Sequence, residues 1–218
     1  MQKFSIHRVL PLVLAASTLG TALVGCAPVV LGGVALGGIV AADRRTTGTQ
    51  VEDEGIELHA VNLLHGQYGD RIHVNITSYN RQVLLTGEVP TAADRQRVQE
   101  LIRSLENVRS VVNEVAAMPS TTLAQRSNDT FITGKVRASL VDAKDLTANA
   151  FKVVTERGVV YLLGRVTQRE AQRAAALASG VTGVVKVVRM FEYLSEDELS
   201  RMSITRPDTT GSGNSSPR

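Results

Sequence analysis

The residue with the best-defined chemistry is Cys26, the single cysteine of this 218-residue chain. It closes the tetrapeptide Leu23-Val24-Gly25-Cys26, after an apolar run from Leu12 to Leu23 that follows Lys3 and Arg8. A positive start, a short apolar stretch and a small residue before the cut make a secretory signal. A cysteine immediately after the cut presents a thiol that can accept a diacylglycerol. Residues 1–25 are therefore expected to leave as a lipoprotein signal peptide, with Cys26 as the lipidated first residue. The run is too short for a bilayer span. With that thiol acylated, no disulfide, thiolate metal centre or cysteine nucleophile is left.

Other reactive residue types do not assemble a site. His59, His65 and His73 have no cysteine partner and no H-x-x-x-H spacing, so they read as surface or edge residues rather than ligands. Gly134-Lys135 resembles the end of a phosphate loop, but Asp129 stands where that loop needs glycine and no strand precedes it. Glu52, Asp53 and Glu54 read as an acidic run favoured at a helix start, and Ser127 as a helix N-cap. We expect no catalysis, no metal and no cofactor.

The elements that position these residues come from a repeat. Arg71 to Val89 and Ala148 to Val166 align at a shift of 77, matching Ile76 with Val153, Leu85 with Leu162, Gly87 with Gly164 and Val89 with Val166. Period-two alternation around Asn80-Arg81 and Arg157-Gly158 predicts two β-hairpins. Thr91 and Thr167 then cap helices running to about Leu105 and Ser179, followed by valine-rich strands at Val108 to Ala117 and Val184 to Tyr193. A further helix precedes each hairpin, Glu52 to Leu64 and Asn128 to Asp142. The fold class is α+β: two tandem αββαβ units, each a three-stranded mixed sheet with two helices on one face.

The expected boundaries are a lipidated apolar Gly-rich tether at 26–48, a first domain at 49–117, a linker at 118–123 and a second domain at 124–194. A disordered tail follows at 195–218, its end rich in Pro, Gly, Ser and Thr. Residues 46–117 hold six arginines against ten acids, whereas 120–194 hold eleven cations against six acids. An acidic half beside a basic half suggests different partners for the two. Aromatic residues make up only 4% of the chain, with no tryptophan. The basic charge of the second repeat could suggest nucleic acid, but the single aromatic in its exposed strip, Phe131, together with export, argues against it.

The helix predicted at Asn128 to Asp142 is apolar on two faces. At about 100° per residue, Ile132, Val136 and Leu140 form the core stripe. Phe131, Gly134, Ala138 and Val141 fall together elsewhere, flanked by Lys135 and Arg137. An apolar strip with basic flanks suits shallow insertion among anionic headgroups. The matching residues of the first repeat, Gly55, His59, Asn62 and His65, offer no such wedge.

Two such units behind a lipidation signal resemble the dual BON-domain lipoproteins of the Gram-negative outer membrane. The residues carrying the likeness are Gly158-Val-Val-Tyr-Leu-Leu-Gly164-Arg-Val166 and its weaker copy at Arg81 to Val89. Ser127-Asn128-Asp129-Thr130-Phe131-Ile132-Thr133 and Val166-Thr167-Gln168-Arg169-Glu170-Ala171 add to it. The resemblance implies a non-enzymatic outer-membrane lipoprotein, anchored by its lipid and facing the periplasm. It also implies that the first helix of the second BON domain binds anionic phospholipid, phosphatidylglycerol or cardiolipin. The binding residues would be Phe131, Gly134, Lys135, Arg137, Ala138 and Val141. Relatives of this kind carry tryptophan and threonine at the positions of Phe131 and Gly134. The resemblance further implies a role in envelope integrity near division sites and the outer-membrane protein assembly machinery. Ala27 after the cysteine fits the usual outer-membrane sorting rule. The alternative is a structural partner that docks envelope proteins through both sheets without specific lipid contact.

Overall fold

The structure, a computed structural model, describes residues 43–204. The first repeat folds as α1 (Thr47–Tyr68), β1 (His73–Tyr79), β2 (Gln82–Val89), α2 (Ala92–Arg103), β3 (Ser110–Asn113) and β4 (Ala116–Ala117). The second folds as α3 (Leu123–Asp142), β5 (Phe151–Glu156), β6 (Val159–Thr167), α4 (Gln168–Ser179) and β7 (Lys186–Leu194), and α5 (Glu196–Ile204) follows it. Both sheets are mixed. β1 pairs antiparallel with β2, which pairs parallel with β3 and β4; β5 pairs antiparallel with β6, which pairs parallel with β7.

Local chemistry explains most of these boundaries. Thr91 and Thr167 cap α2 and α4 as expected, and Thr167 forms a full capping box with Glu170. Ser127 is not a cap. Thr122 caps α3 through a capping box with Gln125, so the helix starts at Leu123, inside the expected linker, and Ser127 lies within it. The third strand of the first repeat is interrupted where Val115 N donates to Asn113 Oδ1 at 3.1 Å, splitting β3 from β4. The disordered tail expected from residue 195 is corrected over Glu196–Ile204, which form α5. Its start is fixed by Ser195, whose Oγ accepts from Glu198 N at 3.1 Å while Ser195 N donates to Glu198 Oε2 at 2.8 Å. The tail beyond residue 204, like the signal peptide and most of the tether, lies outside the described residues.

Each domain buries a helix–sheet core. Ile56, Ala60, Leu64, Val83, Leu85, Val89, Val98 and Ile102 fill the first. Ile132, Val136, Leu140, Val153, Val160, Leu162, Val166 and the alanines of α4 fill the second. Small alanines at 171, 174 and 178 let α4 approach its sheet closely. Gly87 and Gly164 sit where the partner strand comes nearest. A Cβ there would lie 2.0 Å from His73 O and 2.5 Å from Ala150 O respectively, and Gly87 also has φ +107°.

The opposite face of each sheet is not free. Tyr79 and Leu84 of the first domain and Tyr161, Leu163 and Met190 of the second form a third buried cluster, so the two sheets pack face to face. The central strands β2 and β6 are consequently buried on both sides. Burial pushes the Tyr79 and Tyr161 hydroxyls up to about 12.

Candidate functional site

Each hairpin is fastened by a buried aspartate on the preceding helix. Asp53 Oδ2 accepts from Asn80 N, and its Oδ1 from Arg81 N, at 2.8 Å each. Asp129 does the same for Arg157 N and Gly158 N, again at 2.8 Å each. Asn80, Arg81, Arg157 and Gly158 all have positive φ, the geometry of a tight two-residue hairpin turn. Asp53 is therefore a structural carboxylate, and the acidic run Glu52, Asp53 and Glu54 does not stand at a helix start, since α1 begins at Thr47. Burial pushes its carboxyl up, and donors from Ser78, Arg81, Arg45 and Asn80 outweigh that, leaving it below the usual range.

The aspartates set the rotation of α1 and α3 on their sheets, and with it the faces turned to solvent. On α3, Ile132, Val136 and Leu140 point into the core. Phe131 is 66% and Val141 68% exposed, and Gly134, Arg137 and Ala138 lie on the exposed surface between them. The six expected residues thus occupy one side of one helix. They differ in freedom. Lys135 is half-buried; its ammonium donates to Thr182 O and sits 4.9 Å from the Phe131 ring centroid. Arg137 makes no hydrogen bond or ion pair among the described residues, and so is the freer cation.

The first helix is a weaker contrast than its sequence suggests. Asp53 and Asp129 match at a shift of 76, which sets Leu58 and Val61 opposite Gly134 and Arg137. Leu58 and Val61 are 61% and 50% exposed, so α1 does present apolar surface. At the positions matching Phe131, Lys135 and Arg137 it carries Gly55, His59 and Val61, so this face has neither the aromatic ring nor a flanking lysine or arginine.

The described chain begins in a clamp. Arg44 reaches both carboxylate oxygens of Glu170 at 2.8 Å and donates to Arg165 O at 2.9 Å. Arg45 binds Asp53 Oδ2 at 2.7 Å and stacks 4.3 Å from the centre of Tyr79. One arginine therefore grips the second domain and the next grips the first. Beside this exit is a cavity of about 390 Å³, lined on one side by Asp43 and Gln50 and on the other by Arg137, Leu140, Val141 and Phe151. The point where the chain enters the fold thus adjoins the C-terminal half of α3.

Part of the charge asymmetry is spent between the domains. Lys152 pairs with Glu57 at 2.8 Å and Arg157 with Glu88 at 2.7 Å, cations of the second domain on acids of the first. Arg109 and Glu192, at 3.6 Å, pair in the opposite sense. His73 is no isolated edge residue, since its Nδ1 lies 3.0 Å from Glu88 Oε2. Sequence reading missed this because the pairing of His73 with Glu88 is set by the register of β1 on β2, 15 residues apart in sequence. No helix of the described residues is long and apolar enough to cross a membrane. Cys26 lies outside the described residues.

Two αββαβ domains joined sheet to sheet, with an exposed apolar strip and Arg137 on α3, define a tandem-domain module. The model of the BON domain matches residues 62–119 and 128–195. Outer membrane lipoprotein DolP of Haemophilus influenzae is 40% identical over 79% of this chain and 90% of its own. A 21 kDa hemolysin of Actinobacillus pleuropneumoniae is 34% identical over 70% of this chain and 79% of its own. Among solved structures, CdsD, a structural protein of the type III secretion system of Chlamydia trachomatis, covers 69% of this chain and 98% of its own. That likeness has 15% identity and a TM-score of 0.28. The chain belongs to the BON-domain family, as a two-domain lipoprotein of the DolP type. The relatives support an outer-membrane location, an envelope role and a non-enzymatic protein.

Proposed function

We propose that this protein is anchored in the outer membrane by lipid on Cys26, faces the periplasm, and binds anionic phospholipid through α3. The observation that carries this reading is the exposed strip Phe131, Gly134, Ala138 and Val141 with Arg137 beside it, on a helix whose other face fills the core. Burying Phe131 among acyl chains would contribute about 1.5–3 kcal/mol, and a cation near an anionic surface about 1 kcal/mol. Lys135, held by Thr182 O and the Phe131 ring, positions that ring as well as adding charge.

The anchor and the helix act together in this reading. The clamp at Arg44 and Arg45 holds the end of the tether next to Arg137 and Val141, so the lipid on Cys26 keeps α3 at high effective concentration near the bilayer. Lipid chains already give durable anchoring. The contribution of α3 is then to select anionic regions, such as those at division sites, where envelope assembly machinery is a candidate partner. The alternative of docking through both sheets is disfavoured because the uncovered faces of those sheets are buried against each other.

Co-sedimentation of residues 38–218 with vesicles tests this. Binding should require phosphatidylglycerol or cardiolipin and be lost in Phe131→Glu. Equal binding to purely zwitterionic vesicles would refute it.

A further inference from the structure

His73, Glu88 and Glu156 are brought together only by the packing of one domain on the other. His73 and Glu88 face each other across the β1–β2 pair, and Glu156 ends β5 of the second domain. One ligand atom from each lies within 4.8 Å of the other two. An imidazole nitrogen and two carboxylate oxygens are donors that suit zinc, leaving a fourth position for water.

The charge of Glu156 gives a second, independent reason to expect a cation. It is only 3% exposed, and its sole hydrogen-bond donor among the described residues is the neutral Asn75 Nδ2, at 3.0 Å. No lysine or arginine of the described residues pairs with it, unlike Glu57, Glu88, Glu170 and Glu192. An ionised carboxylate buried without a cation is costly. Glu88 is already oriented, and His73 Nδ1 lies 3.0 Å from its Oε2. Arg157 holds Glu88 Oε1 at 2.7 Å and Thr121 donates to Glu88 Oε2 at 3.2 Å, an outer shell of the kind that tunes metal sites.

We propose that His73, Glu88 and Glu156 form a zinc site that rivets the two domains together. His73 and Glu88 supply the half from the first domain, and Glu156 completes it only when the sheets are packed. The bound ion would neutralise Glu156 and stabilise the interdomain arrangement. α3 lines the adjoining cavity with Asp129, Thr130 and Thr133 but supplies no ligand. Its exposed strip is made of other residues, so the proposal stands apart from the lipid reading.

The test uses the full chain in detergent, stripped with EDTA and titrated with zinc chloride against a competing chromophoric chelator. One zinc should bind per chain. His73→Gln and Glu156→Gln should each weaken binding by at least about 100-fold, and Asn75→Ala by about tenfold. Zinc should raise the melting temperature of the wild type and leave that of Glu156→Gln unchanged. Circular dichroism checks that both variants fold. No zinc uptake by the wild type, or equal uptake by the folded His73→Gln and Glu156→Gln variants, overturns the site. So does magnesium giving the same stabilisation independently of His73.

Discussion

Arg44 and Glu170 are joined by two parallel hydrogen bonds of 2.8 Å across 126 residues of sequence, with both side chains almost fully buried. This fork closes the start of the described chain onto the second domain, while Arg45 closes it onto the first through Asp53. Removing one partner of a buried pair strands the other charge. Arg44→Ala should therefore cost about 3–5 kcal/mol of unfolding free energy. Urea denaturation of residues 38–218 measures it. A fragment starting at residue 46 lacks both arginines and should be destabilised at least as much.

The hairpin glycines give a second prediction. A methyl group at Gly87 would collide with His73 O at 2.0 Å, whereas one at Gly134 meets nothing within 4 Å. Gly87→Ala should lose the native fold of the first domain. Gly134→Ala, in an exposed helix, should gain about 0.5–1 kcal/mol. Circular dichroism during thermal melting separates the two outcomes.

The helix–hairpin organisation was legible because it rests on local signals. Alternation in Arg71 to Val89, threonines before helices and the stripe Ile132, Val136 and Leu140 each act within a few residues. The long-range devices were not. Asp53 looks like one of three neighbouring acids, and only the fold shows that it alone turns inward to the Asn80 turn. Arg44 reads as the polar end of a tether, yet its partner is 126 residues away. The second face of β2 and β6 also escaped notice. Near-continuous burial of Val83, Leu84 and Leu85 signals a strand covered on both sides, but not what covers it. Likewise, the exposed Leu58 and Val61 follow from how Asp53 orients α1.

Acid should weaken the fold through two of these carboxylates. Burial raises the Glu170 carboxyl, but Arg44 and the Thr167 amide outweigh that and leave it low, as the donors around Asp53 do there. A carboxyl whose folded value is depressed contributes stability above its unfolded value, and that contribution is lost as pH falls. The melting temperature should hold near neutral pH and fall below about pH 5. Arg44→Ala should start lower and lose less over the same interval. A flat wild-type profile down to pH 3 would contradict this.

The central claim is that α3 enters the membrane, and the absence of tryptophan from the chain makes it directly measurable. Phe131→Trp places a single indole on the exposed strip, and Leu58→Trp places one on the exposed face of α1. With phosphatidylglycerol vesicles containing brominated acyl chains, the emission of Phe131→Trp should shift to the blue and be quenched. That of Leu58→Trp should do neither, and zwitterionic vesicles should leave both unchanged. An unshifted, unquenched Phe131→Trp on anionic vesicles, or equal responses from the two variants, would contradict insertion through α3.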